Sequence, residues 1–286
     1  SVNGYTVHYT GCMPEMQVWK SLPEKEDCAT MQWNNQKGDM EMRGKRWIAW
    51  MMGLICLLPA VAAAQVEVRG YERGNGYQYV LYGLYPYEKD GGEQELLWRV
   101  LTVEDNRAFL MTEYVIDYVQ YHPQKDKDPD CPLDYKDSAI CHYLNTTCID
   151  RMLTEEQRQP LFEMENGRGL LSLATTEELQ NPQTGFSRAK YTVDKRRQAV
   201  GTPYAYQLGL RRIDRSGHVW YFTADWRRLG FRWIVGDNGH ISCVGTDRFG
   251  GVRPVMYVDV TQVDCVEGAG TLEDPFRWQP VQAAAD

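Results

Sequence analysis

The chain is short of the residues and runs that announce most chemistries. It has five histidines in 286 residues, and none stands in a His-Glu-x-x-His pattern. No Cys-x-x-Cys and no Gly-x-Ser-x-Gly occurs either, so the signatures of zinc hydrolysis, thiol exchange and a serine nucleophile elbow are all missing. Basic residues are the minority: 31 Lys and Arg against 39 Asp and Glu give a net charge of −8. Phosphate backbones need a basic surface, so this balance argues against a nucleic-acid partner. The longest apolar run falls short of the roughly 20 residues that a membrane-spanning helix needs. With no internal repeat and no long low-complexity tract, a repeat architecture is excluded as well.

The sharpest positive signal is an address. Met42-Arg43-Gly44-Lys45-Arg46 is basic, Trp47 to Leu58 is apolar, and Ala62-Ala63-Ala64 ends the stretch in small residues. That is the three-part layout of a cleaved secretory signal peptide, and it predicts an exported protein, at the cell surface, outside the cell or in the periplasm. A retained signal anchor is disfavoured by the small-residue end. A lipoprotein signal is disfavoured by Ile55, which precedes Cys56 where a small residue is needed. The membrane would then be met only through this segment, if it stayed uncleaved. Residues 1–41 lie ahead of a complete signal and read as a non-native or fragmentary segment. The rival reading is a cytoplasmic tail.

Residues 65–77 read as a linker, 78–262 as one domain and 263–286 as a C-terminal tail. The domain is organised around Leu96 to Val103, a polar turn over Glu104 to Arg107, and Ala108 to Thr112. The first of these strands is apolar on both faces, with Leu96, Trp98 and Val100 on one and Leu97, Leu101 and Val103 on the other, so it belongs inside a domain. Gln78 to Tyr85 forms an earlier strand, and Val255 to Val260 is the late strand expected beside this core. His218 to Thr223 and Phe231 to Val235 are further strands, and Gly236-Asp237-Asn238-Gly239 turns the latter into a hairpin.

Two helices interrupt the strands. Asp137 or Ser138 caps the first, whose inward face carries Ile140, Tyr143 and Leu144. Thr154 with Gln157 makes a capping box for the second. Residues 183–203 read as a polar, basic surface excursion. Strands, helices and strands again give an α+β domain with a distorted antiparallel sheet.

In an oxidising compartment some cysteines should pair. Cys131, Cys141, Cys148, Cys243 and Cys265 are the disulfide candidates. Cys141 and Cys148 share one helix and lie too far apart to bridge. Five is odd, so at least one is free or bonded to another chain; the expected pairs are Cys131 with one of these two, and Cys243 with Cys265. Asp126, Asp128, Asp130 and Asp137 approach a calcium-loop spacing, but Cys131 stands where the loop needs glycine, so a solvated acidic loop is expected. No cofactor is expected. The basic clusters Lys195-Arg196-Arg197, Arg211-Arg212 and Arg227-Arg228 read as solvated charge, with anionic ligands as the sharper alternative.

Several stretches taken in order resemble the bacterial family known as domain of unknown function 6273. They are Tyr82-Gly83-Leu84-Tyr85-Pro86, Leu97-Trp98-Arg99-Val100-Leu101, Ala108 to Asp117, Ser138 to Asn145, Leu170-Leu171-Ser172, Thr202-Pro203-Tyr204-Ala205 and Gly251-Val252-Arg253-Pro254. Two departures stand out: Cys141 and Thr223 occupy places where that family commonly has arginine. The resemblance implies an exported or surface protein and a C-type-lectin-like fold related to formylglycine-generating enzymes. In such folds the late loops face ligand. That points to Trp226, Arg227, Arg228, Arg232, Asp247 and Arg253 as the ligand-binding set, with Trp220 and Trp233 in the core. The expected function is a non-catalytic module recognising glycan, cell wall or protein. The alternatives are an oxidoreductase of the formylglycine-generating type, which needs a late copper-holding cysteine pair, and a structural domain of a surface assembly.

Overall fold

The computed structural model describes residues 67–123, 134–213, 215–228 and 230–282. The leader-like stretch, the segment before it, Asp126, Asp128, Asp130 and Cys131 lie outside the described residues, as does the side chain of Arg228.

The strands in the first half are β1 (Gln78–Pro86), β2 (Glu93–Glu104), β3 (Arg107–Thr112) and β4 (Asp117–Gln120). The helical run that follows is α1 (Ala139–Tyr143), a π-helical segment (Leu144–Cys148) and α2 (Ile149–Met152), and then α3 (Glu155–Arg158). Two short strands come next, β5 (Leu161–Phe162) and β6 (Ser172–Leu173), then α4 (Pro203–Gln207). The late strands are β7 (Tyr221–Arg228), β8 (Phe231–Val235), β9 (Ile241–Gly245), β10 (Phe249–Val252), β11 (Pro254–Asp259), β12 (Val263–Glu267) and β13 (Phe276–Pro280). They form an eight-stranded sheet in the order β12-β13-β1-β2-β3-β11-β5, with β6 also on β11, and a five-stranded sheet in the order β4-β10-β7-β8-β9. The fold is α+β and dominated by sheet.

The β2–β3 hairpin is tighter than the sequence suggests. Asp105 and Asn106 alone make the turn, both with left-handed φ (49° and 65°). That is the turn whose twist matches a two-stranded ribbon, and Asp and Asn tolerate it. As expected, β2 is covered on both faces. Trp98 and Val100 pack with Val80 and Leu110, whereas Leu101 packs with Phe109, Met111 and Val255. Val103 joins Trp98 rather than Leu101, because a bulge between Val100 and Thr102 reverses the alternation of the pleat. The early and late strands do lie side by side, with Val255 opposite Met111.

Ser138 caps α1 by accepting from the Cys141 amide, and Thr154 with Gln157 forms the expected capping box on α3. Ile140 and Leu144 are fully buried. Asn145 clamps this helical run to the following loop, donating to the carbonyls of Arg168 (3.1 Å) and Leu171 (2.8 Å) and accepting from the Leu171 amide (3.1 Å).

Four expectations change. Residues 263–280 are not a tail: β12 and β13 extend the larger sheet, β13 runs parallel to β1, and Phe276 and Trp278 are buried. Residues 183–203 are not all surface, since Phe186, Asp194, Arg197 and Ala199 are buried. The strand expected at His218 begins at Tyr221 and continues to Arg228. Cys141, Cys148, Cys243 and Cys265 are all unpaired. Cys243 lies on β9 and Cys265 on β12, which belong to different sheets, so the expected bridge between them does not form. The partner proposed for Cys141 or Cys148 is outside the described residues. Among the described residues no helix is long and apolar enough to cross a membrane.

Candidate functional site

The smaller sheet carries an irregularity that shapes the surface. Phe222 on β7 opposes Ile234 on β8, yet Trp226 opposes Arg232, so four steps on one strand match two on the other. Successive side chains on a regular strand point to opposite faces, and a bulge breaks that rule and re-aims them. Here Ala224, Asp225 and Trp226, three consecutive residues, all border one open cleft of about 680 Å³. The far wall comes from Tyr135 and Lys136, before the first helix, and from Asn166, Gly167 and Arg168, after the helices.

Three of the lining residues, Arg168, Tyr135 and Asp225, are held from behind. Arg168 donates to Glu178 (Nη1 to Oε1, 2.7 Å), to the Ser172 hydroxyl (2.9 Å) and to the Leu173 carbonyl (2.6 Å). Glu178 is fixed in turn by the Thr175 amide (2.7 Å). The Tyr135 hydroxyl accepts from the Leu173 amide (3.1 Å). Asp225 accepts from the Thr176 amide. Burial pushes the Asp225 carboxyl above the usual aspartate range, with Glu178 pushing the same way and the Thr176 amide and Arg168 opposing. The Trp226 side chain is 37% exposed, and the guanidinium of Arg232 lies 5.9 Å from its ring. The cleft lining carries two aromatic rings (Tyr135 and Trp226), two carboxylates (Asp134 and Asp225), an amide, a hydroxyl (Thr175) and two cations, and no histidine, serine or cysteine. Such a set holds and orients a ligand through one apolar surface and a few placed polar groups.

The sequence-derived ligand set is only partly assembled. Trp226 lines the cleft and Arg232 supports it from beneath, buried and stacked 5.0 Å from the Tyr121 ring. Arg227 points elsewhere: it donates to the Cys243 sulfur (2.6 Å) and lies over the Trp233 ring (5.0 Å). Arg228 is on the same strand. Asp247 is in the turn between β9 and β10, where its carbonyl accepts from Gln120 (2.8 Å). Arg253 is fully buried and cannot meet a ligand. It donates to the Thr112 carbonyl (2.8 Å), the Arg197 carbonyl (3.3 Å) and the Tyr221 hydroxyl (3.2 Å). His240 contacts Asn238, its neighbour in the hairpin turn. Asp225, Arg168, Asn166 and Tyr135 were not singled out from sequence. Only Asp225 had a usable signal, as a lone carboxylate inside an aromatic, basic strand.

A second polar cluster lies in the core. The Tyr85 hydroxyl donates to Asp117 Oδ2 (2.5 Å), Tyr143 donates to the same oxygen, and the Tyr118 amide donates to Oδ1 (2.7 Å). Burial raises the Tyr85, Tyr143 and Cys148 hydroxyl and thiol well above their ordinary values. These groups stay protonated and tie β1, β4 and the helical run together.

No family model matches the chain, and neither a curated protein nor a solved structure matches it.

Proposed function

We propose that the chain is an exported, non-catalytic recognition module of C-type-lectin-like fold that binds a glycan of the cell wall or cell surface in the Trp226 cleft. The observation that carries the reading is the pairing of an exposed indole with the Asp225 carboxylate at one bulge. A sugar ring has an apolar C–H face and a rim of hydroxyls. The face gains from covering an aromatic ring, and the hydroxyls need directional partners, which Asp225, Asn166 and Lys136 offer. The leader-like stretch Met42 to Ala64 supports export. The oxidoreductase alternative calls for a late cysteine pair, and Cys243 and Cys265 stand on different sheets.

The test is titration of the purified chain with peptidoglycan disaccharides and a neutral oligosaccharide panel, followed by tryptophan fluorescence. Trp226→Ala should weaken binding by about 10- to 100-fold, as loss of an aromatic anchor does, with an unchanged thermal midpoint. An undiminished affinity in that variant, or no binding to any glycan, would discard the reading.

A further inference from the structure

The basic cluster Lys195-Arg196-Arg197 divides in the structure, and the division builds a surface. Arg197 is fully buried and staples its own loop: it donates to the carbonyls of Leu179 (3.1 Å), Ala189 (2.9 Å) and Thr192 (3.4 Å). Asp194, also buried, pairs with it at 3.4 Å and accepts from the amides of Ser187 (2.8 Å) and Arg196 (2.9 Å). The loop is anchored from outside too. The Asp194 amide donates to the Asn238 carbonyl, and the Ile241 amide donates to the Lys190 carbonyl (2.8 Å). Gly239 fits so closely that a Cβ there would lie 1.9 Å from the Asp194 carbonyl oxygen.

What this rigid frame presents is unusual for a soluble surface. Tyr191 is 70% exposed and Val193 63%, more than any other large apolar side chain among the described residues, the next being Ile213 at 53%. Around them Arg188, Lys195 and Arg196 are exposed and Lys190 is half-buried, and no acid other than the buried Asp194 lies between residues 186 and 200. Arg227 adds a further exposed cation beside Trp233, the ring that Lys190 and Tyr191 flank. On a protein of net charge −8, the loop is thus a local patch of positive charge with an apolar tip.

We infer that the Arg188–Arg196 loop docks on an anionic lipid surface, with Tyr191 and Val193 entering the interface and the flanking cations meeting headgroups. Cations near an anionic leaflet each contribute to attraction, and tyrosine favours the headgroup level. A soluble polyanion would use the charges but would leave Val193 exposed. The inference does not rest on the glycan reading, because the Trp226 cleft has a different lining.

The test is co-sedimentation of the full chain with phosphatidylcholine vesicles, with and without about 30 mol % phosphatidylglycerol. The apolar stretch at Trp47 to Leu58 is common to every variant, so the readout is the anionic increment, compared between variants. Wild-type chain should bind anionic vesicles at least about tenfold more tightly than neutral ones, with the increment lost in high salt. The double change Tyr191→Ser with Val193→Ser should remove most of the increment. Arg188→Glu with Lys195→Glu should remove it too, which gives a second reading should the first variant fold poorly. Equal binding to both vesicle types overturns the proposal. So does a Tyr191→Ser, Val193→Ser chain that keeps its increment and binds heparin as wild type does, which would assign the loop to a soluble polyanion.

Discussion

Arg253 sits where the chain leaves one sheet and enters the other. Its guanidinium is spent on carbonyls and a tyrosine hydroxyl from three separate segments. Arg253→Met keeps the volume but leaves those acceptors buried and unmet, at a cost of about 3 kcal/mol. Urea unfolding should report it, and a loss below about 1 kcal/mol would mean that the acceptors find other partners. Asp225 should behave in the opposite way. Its carboxyl is raised by burial, so the folded protein holds the proton longer than the unfolded chain does. Stability from this group is complete below the ordinary aspartate range and falls as pH rises through the raised value. Asp225→Asn should therefore raise the urea midpoint at neutral pH, leave it nearly unchanged at about pH 3, and weaken glycan binding. An equal effect at both pH values would remove the electrostatic explanation. Trp226 and Arg253 mark what is legible in the sequence and what is not. Trp226 was readable as an exposed anchor beside charge, but Arg253 was read as a ligand group. A buried arginine differs from a solvated one only through carbonyls as distant in sequence as Thr112 and Arg197, which no local pattern displays.

The elements were readable wherever local chemistry decides them. Ser138, Thr154 and Asn238 each fix a cap or a turn within four residues of themselves, and the structure follows. Thr202 caps α4 with Pro203 behind it, a pattern just as local, which the reading of residues 183–203 as a surface excursion passed over. What could not be read were bulges, because they depend on the neighbouring strand. Gly83 marks one, with φ of 76° where the β1–β2 register shifts between Leu81 and Leu84. A Cβ there would lie 2.6 Å from Leu153 and 2.7 Å from the Met152 carbonyl. Gly83→Ala should cost more than about 2 kcal/mol, from strain and from lifting the helical run off the strand. Asn106→Gly should do the reverse: glycine accepts the left-handed turn more readily, and a gain of about 0.5 kcal/mol is expected. A thermal shift of matching sign in each variant checks the pair.

At the scale of the whole molecule, the first and last parts of the domain meet within the larger sheet. β13 lies on β1, so the sheet needs residues that the sequence offered only as a tail, because the partner of Phe276 lies nearly two hundred residues earlier. A chain ending at Gln262 loses both buried aromatics and bares the β1 edge. Each such side chain is worth about 3 kcal/mol, so the truncated chain should elute as aggregate in size-exclusion chromatography. A monodisperse, cooperatively melting product would contradict this. The many buried tyrosines set an alkaline limit. Burial raises Tyr77 from 10.0 to about 12, and raises Tyr82, Tyr121 and Tyr135 as well. Their contribution is complete below about pH 10 and is lost as pH climbs through about 12 and beyond, because the unfolded chain ionises first. Stability measured across that range should fall by more than a single titrating group allows.

The parallel pairing of β1 and β13 has a mechanical side. Tension applied through the two ends of the domain pulls β1 and β13 in opposite directions along their shared axis. The two rungs between them, Val80 opposite Phe276 and Leu81 opposite Arg277, take load together. An antiparallel pair drawn from one end would open rung by rung under a weak pull. This pair must yield all at once. Single-molecule pulling through the two ends of the domain should therefore give one sharp rupture instead of a low plateau.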